Sequence, residues 1–529
     1  MSRMRNGALG LVAVLAGCNQ IWGNDPVERW DAQTIVDVSP DAPLPTARLE
    51  LLVAMTDSHG AATNVVEMRP LVPAPTVQVG LVDGPLTPAT YNQGVIEIPA
   101  NYPGNAWRLV YTPAGDVPHE VHWAPAAGVE GRAVVSQFGG VDRGPVPANA
   151  SYRLTTDNAG TYGDLHVFTT GVWATGVPSV NGAVMTQPVN PDDLEVISGP
   201  LLAPDDAKGD HVVLVGYEGT YPCQHTQGTA VFNIALTGPD SASQIIPHWK
   251  TDGGAAITVN GYAVNTASRV ADRYGPGLQP GNVTSMALYG YGASTVMPMF
   301  VTHPFASPLY APPMIPLVEC ISVDPLIGTQ LTSSIPFAGL KLEANETLPM
   351  IANVQLIVQR QLPSGPVVSD GLTGAAATTT GQTNFNIEFP VGIPLDIRLG
   401  GQAVGGQHLM NEPDRVQLAN GAGTLDLTFD LDSPIPGQMM GVADYATATL
   451  YRADSSPLVR VREYTFTGPS DPEAGWTLHL DRAVFAAQTE YVIELRTFIG
   501  APGAPMADFT RYTAAQSSAT RWTRTFITP

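Results

Sequence analysis

Positive charge is scarce in this chain. Its 529 residues hold 25 Lys and Arg against 47 Asp and Glu, for a formal net charge of −22. A chain without a basic footprint is not built to grip nucleic acid or an anionic membrane surface. The acidic excess serves either solubility or a diffuse affinity for divalent cations. Charge of either sign is low, 14% where about a quarter is usual. The apolar stretch Gly7 to Gly17 falls short of the roughly 20 residues that cross a bilayer core. Catalytic signatures are also missing: there is no His-Glu-x-x-His, Walker A loop, Gly-x-Ser-x-Gly elbow or Cys-x-x-Cys pair. The expectation is a protein that is not an enzyme.

What is present begins at the N-terminus. Arg3 and Arg5 precede the short apolar segment, which closes on Leu15-Ala16-Gly17-Cys18. A basic start, an apolar stretch and small residues before a cut are the parts of a secretory signal. With the cysteine in that place, the four residues resemble the lipobox of bacterial lipoproteins. The resemblance implies cleavage before Cys18, diacylation of its thiol and acylation of the new amino group. Two or more chains anchor a protein stably where one does not. In that family an aspartate after the cysteine retains the protein in the inner membrane. Asn19 stands there instead, which implies the outer membrane, facing either the periplasm or the outside. The alternative is a conventional signal peptide with a chance cysteine.

Residues 19–46 carry Asp25-Pro26, Asp37, Ser39-Pro40-Asp41-Ala42-Pro43 and Leu44-Pro45. Proline fixes φ and aspartates repel one another, so this segment is expected to be an extended tether. At about 3.1 Å per residue it would reach about 80–90 Å.

Beyond the tether, high Gly (53) and Pro (48) point to short strands and turns. Val77, Val79 and Leu81 alternate, as do Trp107, Leu109 and Tyr111; Val354, Leu356 and Val358; Trp476, Leu478 and Leu480. Asp83-Gly84-Pro85, Asn92-Gln93-Gly94 and Tyr102 to Asn105 are turn chemistry. Thr266 to Tyr274 and Asp481 to Gln488 are the stretches that suit a helical turn. The stretch Phe485 to Ile493 resembles the corner before the F strand of fibronectin III and other Ig-like domains. By that resemblance the Tyr491 hydroxyl bonds back to upstream backbone and closes the corner, although Ala487 stands where proline is usual. Residues 48–122 and 340–400 resemble small prealbumin-type sandwiches more loosely. The expected fold class is all-β: tandem antiparallel β-sandwich (Ig-like) modules after a lipoprotein signal and a flexible tether. The expected divisions are a signal (1–17), an anchor and tether (18–46), a sandwich (47–122), a larger β region of one or two modules (123–330), a sandwich (331–432) and an Ig-like sandwich (433–529).

Few residues stand out as chemistry. Cys223 and Cys320 are either a disulfide, favoured by an oxidising compartment, or two buried thiols. A bridge closing about 100 residues contributes up to about 4.7 kcal/mol in the chain-entropy model. Asp426, Asp430 and Asp432 alternate along one strand, with Asp444 near in sequence. They are either a calcium site, since hard cations want oxygen ligands, or a solvated strand face. Asp205-Asp206 with Asp210, and Asp192-Asp193 with Glu195, are acidic turns. His119 and His122 of His119-Glu120-Val121-His122 face opposite sides if the segment is a strand, so joint metal ligation would need a turn. His211, His225 and His248 lie around the Cys223 region. Trp123, Trp173 and Trp249 are either core residues or platforms for sugars.

Three functions remain open. One is a membrane-anchored, non-enzymatic lipoprotein that displays a binding or structural surface to a protein or glycan. Another is a hydrolase whose site within 123–330 gathers His211, His225 and an acidic residue. The third is an envelope assembly factor that adds strands to a partner.

Overall fold

A computed structural model describes residues 48–123 apart from 60–62, 83 and 98–106; the strands between 132 and 336 together with Arg273; and 350–529 apart from 379–383, 387–388, 406–414, 420, 422, 433–441, 469–474, 502–503 and 505–514. The fold is all-β. Among the described residues the helical content is one 3-10 turn, Arg482–Val484, where the Asp481 carboxylate accepts the Ala483 N–H at 2.9 Å, and the single residues Arg273 and Ala504.

The strands follow from local alternation. Thr424–Leu431 buries Leu425, Leu427, Phe429 and Leu431 and turns Thr424, Asp426 and Asp430 to solvent, which is the signature of a half-buried strand. Tyr91–Asn92 and Val95–Glu97 form a hairpin, with Asn92 opposite Val95. Its two turn residues, Gln93 and Gly94, both have positive φ (47° and 92°), the geometry that matches the right-handed twist of paired strands.

Two sheets pack face to face in the C-terminal half. One runs Gln402–Ala403, Pro394–Leu399, Thr424–Leu431, Trp476–Asp481, all antiparallel. The facing sheet contains Val459–Phe466, Tyr445–Arg452, Glu490–Ile499 and Ala515–Trp522, again antiparallel. Between them lie Leu427, Phe429 and Leu478 from the first sheet and Ala448, Leu450, Tyr464, Phe466 and Leu495 from the second. Phe429, Phe466 and Trp476 contact one another with ring centroids 5.7–6.1 Å apart. Aromatic packing of this kind adds about 0.5–1.5 kcal/mol per pair beyond area burial. The two sheets come from the stretches on either side of position 432, so residues on both sides of that expected division share one core.

The second sheet continues beyond the sandwich. Val459–Phe466 pairs in parallel with His119–Trp123, which pairs with Trp107–Thr112 and through it with Thr76–Leu81. On the other side Ala515–Trp522 pairs with Val367–Thr378, then Met350–Gln361, Thr284–Gly290 and Ile315–Ser322. Side chains alternate between faces, so the sheet also offers a reverse face. Tyr445 and Phe498 on that face join Val79, Leu109, Tyr111 and Val121. Leu49, Leu51 and Ile96 of a separate sheet, formed by Thr63–Pro70, Arg48–His59, Val95–Glu97 and Tyr91–Asn92 with Arg132–Gly139 paired in parallel to Arg48–His59, complete this second core. The 48–122 stretch is thus packed against residues of 433–529.

Candidate functional site: the charge-lined strand junction

The parallel seam between His119–Trp123 and Val459–Phe466 gathers a cluster of buried ionisable side chains, His119, Glu120 and His122, with Arg108 beside them. Its register sets Glu463 against His119, Tyr464 against Glu120, Thr465 against Val121 and Phe466 against His122. Glu120 and His122 therefore share a face with Tyr464, and His119 shares the other with Glu463.

Glu120 is the hub of the first face, its side chain fully buried. Its carboxylate accepts from Arg108 Nη1 at 3.0 Å and Arg462 Nη1 at 2.7 Å, and lies 2.7 Å from His122 Nε2. Burial alone would raise its pKa. The His122 hydrogen bond and the charges of His122, Arg462 and Arg108 outweigh burial and hold it at about 2. Arg108 also donates from Nη2 to the Gly84 carbonyl at 3.1 Å, tying the preceding turn to the same point. His122 meets Tyr464 edge-on, with centroids 6.4 Å apart.

Asp116 anchors the other face. It accepts from Arg460 Nη2, from the Val117 N–H at 2.8 Å, and lies 3.2 Å from His119 Nε2. Burial opposes its ionisation, but the His119 and Val117 bonds and the Arg460 charge bring its pKa below the usual range. The His119 ring stacks on Tyr111 at 5.2 Å. Glu463 takes Arg460 Nη1 at 3.4 Å, and His119 Nδ1 is 3.9 Å away, too far for a hydrogen bond. Burial dominates there and pushes the Glu463 pKa up, against the pull of His119 and Arg460. One strand further on, Thr449 opposes Glu463 on one side and Glu494 on the other. Glu494 accepts from Arg496 Nε at 2.8 Å and from the Tyr451 hydroxyl at 3.3 Å.

Chemically this is a lock. Arg460 and Arg462 reach from the C-terminal sandwich to carboxylates about 340 positions earlier. Glu120 and Asp116 spend their lone pairs on protein donors. Sequence reading singled out His119 to His122 and placed the two histidines on opposite faces, but it missed Glu120 as the centre, and Arg108, Asp116, Arg460, Arg462, Glu463, Glu494 and Arg496 as its partners. The available signal was Arg460-x-Arg462-Glu463: three charges on one strand in a chain with only 25 basic residues.

The other singled-out residues are dispersed. Asp426 is exposed and 2.7 Å from His479 Nδ1, whereas Asp432 is buried, accepting the Ile393 N–H at 2.7 Å and lying 3.4 Å from Arg273 Nε. Asp430 is exposed. Asp444 accepts the Gly500 and Ala501 N–H groups, both at 2.8 Å. Among the described residues no three His, Cys, Asp or Glu side chains are placed to hold a metal ion. The Tyr491 hydroxyl accepts the Ala486 N–H at 2.8 Å, five residues upstream, with its ring buried. His211 opposes Asn233 and His225 opposes Glu218, seven positions along the same strand. At about 3.3 Å per residue that separates their backbones by about 23 Å, so the two histidines do not meet. Cys223 and Cys320 are directly opposed on neighbouring strands. Trp123 and Trp173 lie within strands, the former opposite Trp107. Cys18, the 19–46 tether, Asp192, Asp193, Asp205, Asp206, Asp210, His248 and Trp249 lie outside the described residues.

No protein-family model matches this sequence, and no curated protein is detectably similar to it.

Proposed function

We propose that this chain is a bacterial envelope lipoprotein, anchored through Cys18 and carrying a non-enzymatic β assembly on the 19–46 tether. The observation that carries the reading is Leu15-Ala16-Gly17-Cys18 behind Arg3 and Arg5. A tether of about 80–90 Å at full extension suits a body that meets its partner away from the bilayer. The all-β build supports a structural or binding role, because exposed strand faces and loops recognise proteins and glycans without a catalytic centre. Internal consumption of charge at the seam supports it too: Glu120 and Asp116 hold the body together. Asn19 after the cysteine favours the outer membrane.

Acyl labelling with fractionation tests the anchor. Wild-type chain is expected to take up radiolabelled palmitate and sediment with membranes. Cys18→Ala is expected to lose the label and appear as a soluble or uncleaved form. A Cys18→Ala variant that is processed normally and stays membrane-bound overturns the reading.

A further inference from the structure

We infer that Cys223 and Cys320 form a cross-strand disulfide at a seam of the large sheet only three residue pairs long. Cys223–Asn233 and Ile315–Ser322 are antiparallel neighbours, and their pairing covers three positions: Cys223 with Cys320, Gln224 with Glu319, His225 with Val318. Directly opposed residues of an antiparallel pair share a face, with Cα atoms about 4.5–5.5 Å apart. That spacing lies within the roughly 4.4–6.8 Å that a disulfide spans.

The position gives the bond its purpose. Asp164–Thr169, Val172–Thr175, Glu195–Ser198, His211–Glu218 and Cys223–Asn233 pair among themselves. Among the described residues they join the rest of the large sheet through those three positions alone. By contrast, Met350–Gln361 and Val367–Thr378 pair over twelve positions. Three pairs are a weak hinge, and a covalent link at their end turns the hinge into a fixed joint. Each thiol gives up one proton and one electron. The oxidant is a disulfide, of a small molecule or of a dithiol oxidoreductase, and it leaves as two thiols.

In the cell this rests on the exported location proposed above, because the cytosol keeps thiols reduced. The test separates the two. The purified full chain is incubated with glutathione disulfide, blocked with an alkylating agent and digested with trypsin, which releases Cys223 and Cys320 on different peptides, 209–250 and 274–341. The two peptides are expected as one linked species that splits on reduction, and absent from Cys320→Ser. Hydrogen exchange of amides in 211–233 is expected to be roughly tenfold faster after reduction. Two separately alkylated peptides after oxidation overturn the bond. A bond formed in vitro but missing from chain isolated directly from cells leaves the geometry standing and overturns the exported location. A bond without any change in exchange overturns the fixed joint.

Discussion

Glu120 and Glu463 sit one face apart on the same seam, and their environments push them in opposite directions. Glu120 is held at about 2, against 4.5 for a free glutamate. Its folded-state pKa is depressed, so its contribution is complete above pH 4.5 and lost as pH falls toward 2. At about 1.4 kcal/mol per unit that is about 3 kcal/mol. Glu463 has a raised folded-state pKa. Its contribution is complete below pH 4.5 and lost as pH rises through the folded value. At neutral pH its ionised form costs stability. Glu120→Gln should therefore destabilise the protein by about 3–5 kcal/mol, since Arg108 and Arg462 lose a fully buried counter-charge. Glu463→Gln should be neutral or stabilising at pH 7, because Arg460 keeps Asp116. Urea unfolding at pH 7 measures both, and equal losses would refute the assignment. Tyr491→Phe is a third case: the exposed Ala486 loses the Tyr491 acceptor of its N–H and turns to water instead, for an expected loss of about 0.5–1.5 kcal/mol.

At the scale of the element, close backbone approach decides where substitution is tolerated. A Cβ at Gly80 would stand 2.6 Å from the Pro85 carbonyl oxygen, a backbone atom that yields only if the turn moves. At Gly405 the nearest atoms are 3.6–3.8 Å away, ordinary contact. Gly80→Ala should lower stability by about 1–3 kcal/mol and Gly405→Ala by less than about 0.5 kcal/mol; a thermal melt of each settles it. Individual strands were legible in the sequence for a plain reason. Val77 and Val79, or Leu425 and Leu427, are buried while Gln78 and Asp426 are exposed, and a period of two survives any tertiary arrangement. The helical turn expected over Asp481 to Gln488 shrank to Arg482–Val484, because Phe485 turns back to pack on Tyr491 and Phe526. The calcium idea read Asp426, Asp430 and Asp432 as one exposed row. That alternation stops at Leu431, and Asp432 is drawn inward by the Ile393 N–H. Strand period alone does not report where a strand ends.

At the scale of the molecule, partner choice was the part that sequence did not carry. The parallel seam joins 119–123 to 459–466, and no local pattern encodes a pairing between strands so far apart. Linear modules drawn along the chain therefore part strands that the fold packs together. Tyr445 and Phe498 bury one face against Leu109, Tyr111 and Val121 while Ala446 and Leu495 bury the other against Leu427 and Leu478. Strands held in two cores at once have no independent unfolding to undergo, so the 107–123 and 445–499 strands should form one cooperative unit. Native-state hydrogen exchange in rising urea measures this directly. Protected amides of Trp107–Thr112 and of Val459–Phe466 should converge on one opening free energy with one urea dependence. Glu120→Gln should lower both by the same amount, because the lost charge belongs to the joint rather than to either side. If the Trp107–Thr112 amides opened first, with Val459–Phe466 unaffected by the substitution, the two stretches would be separable domains and the seam only a contact between them.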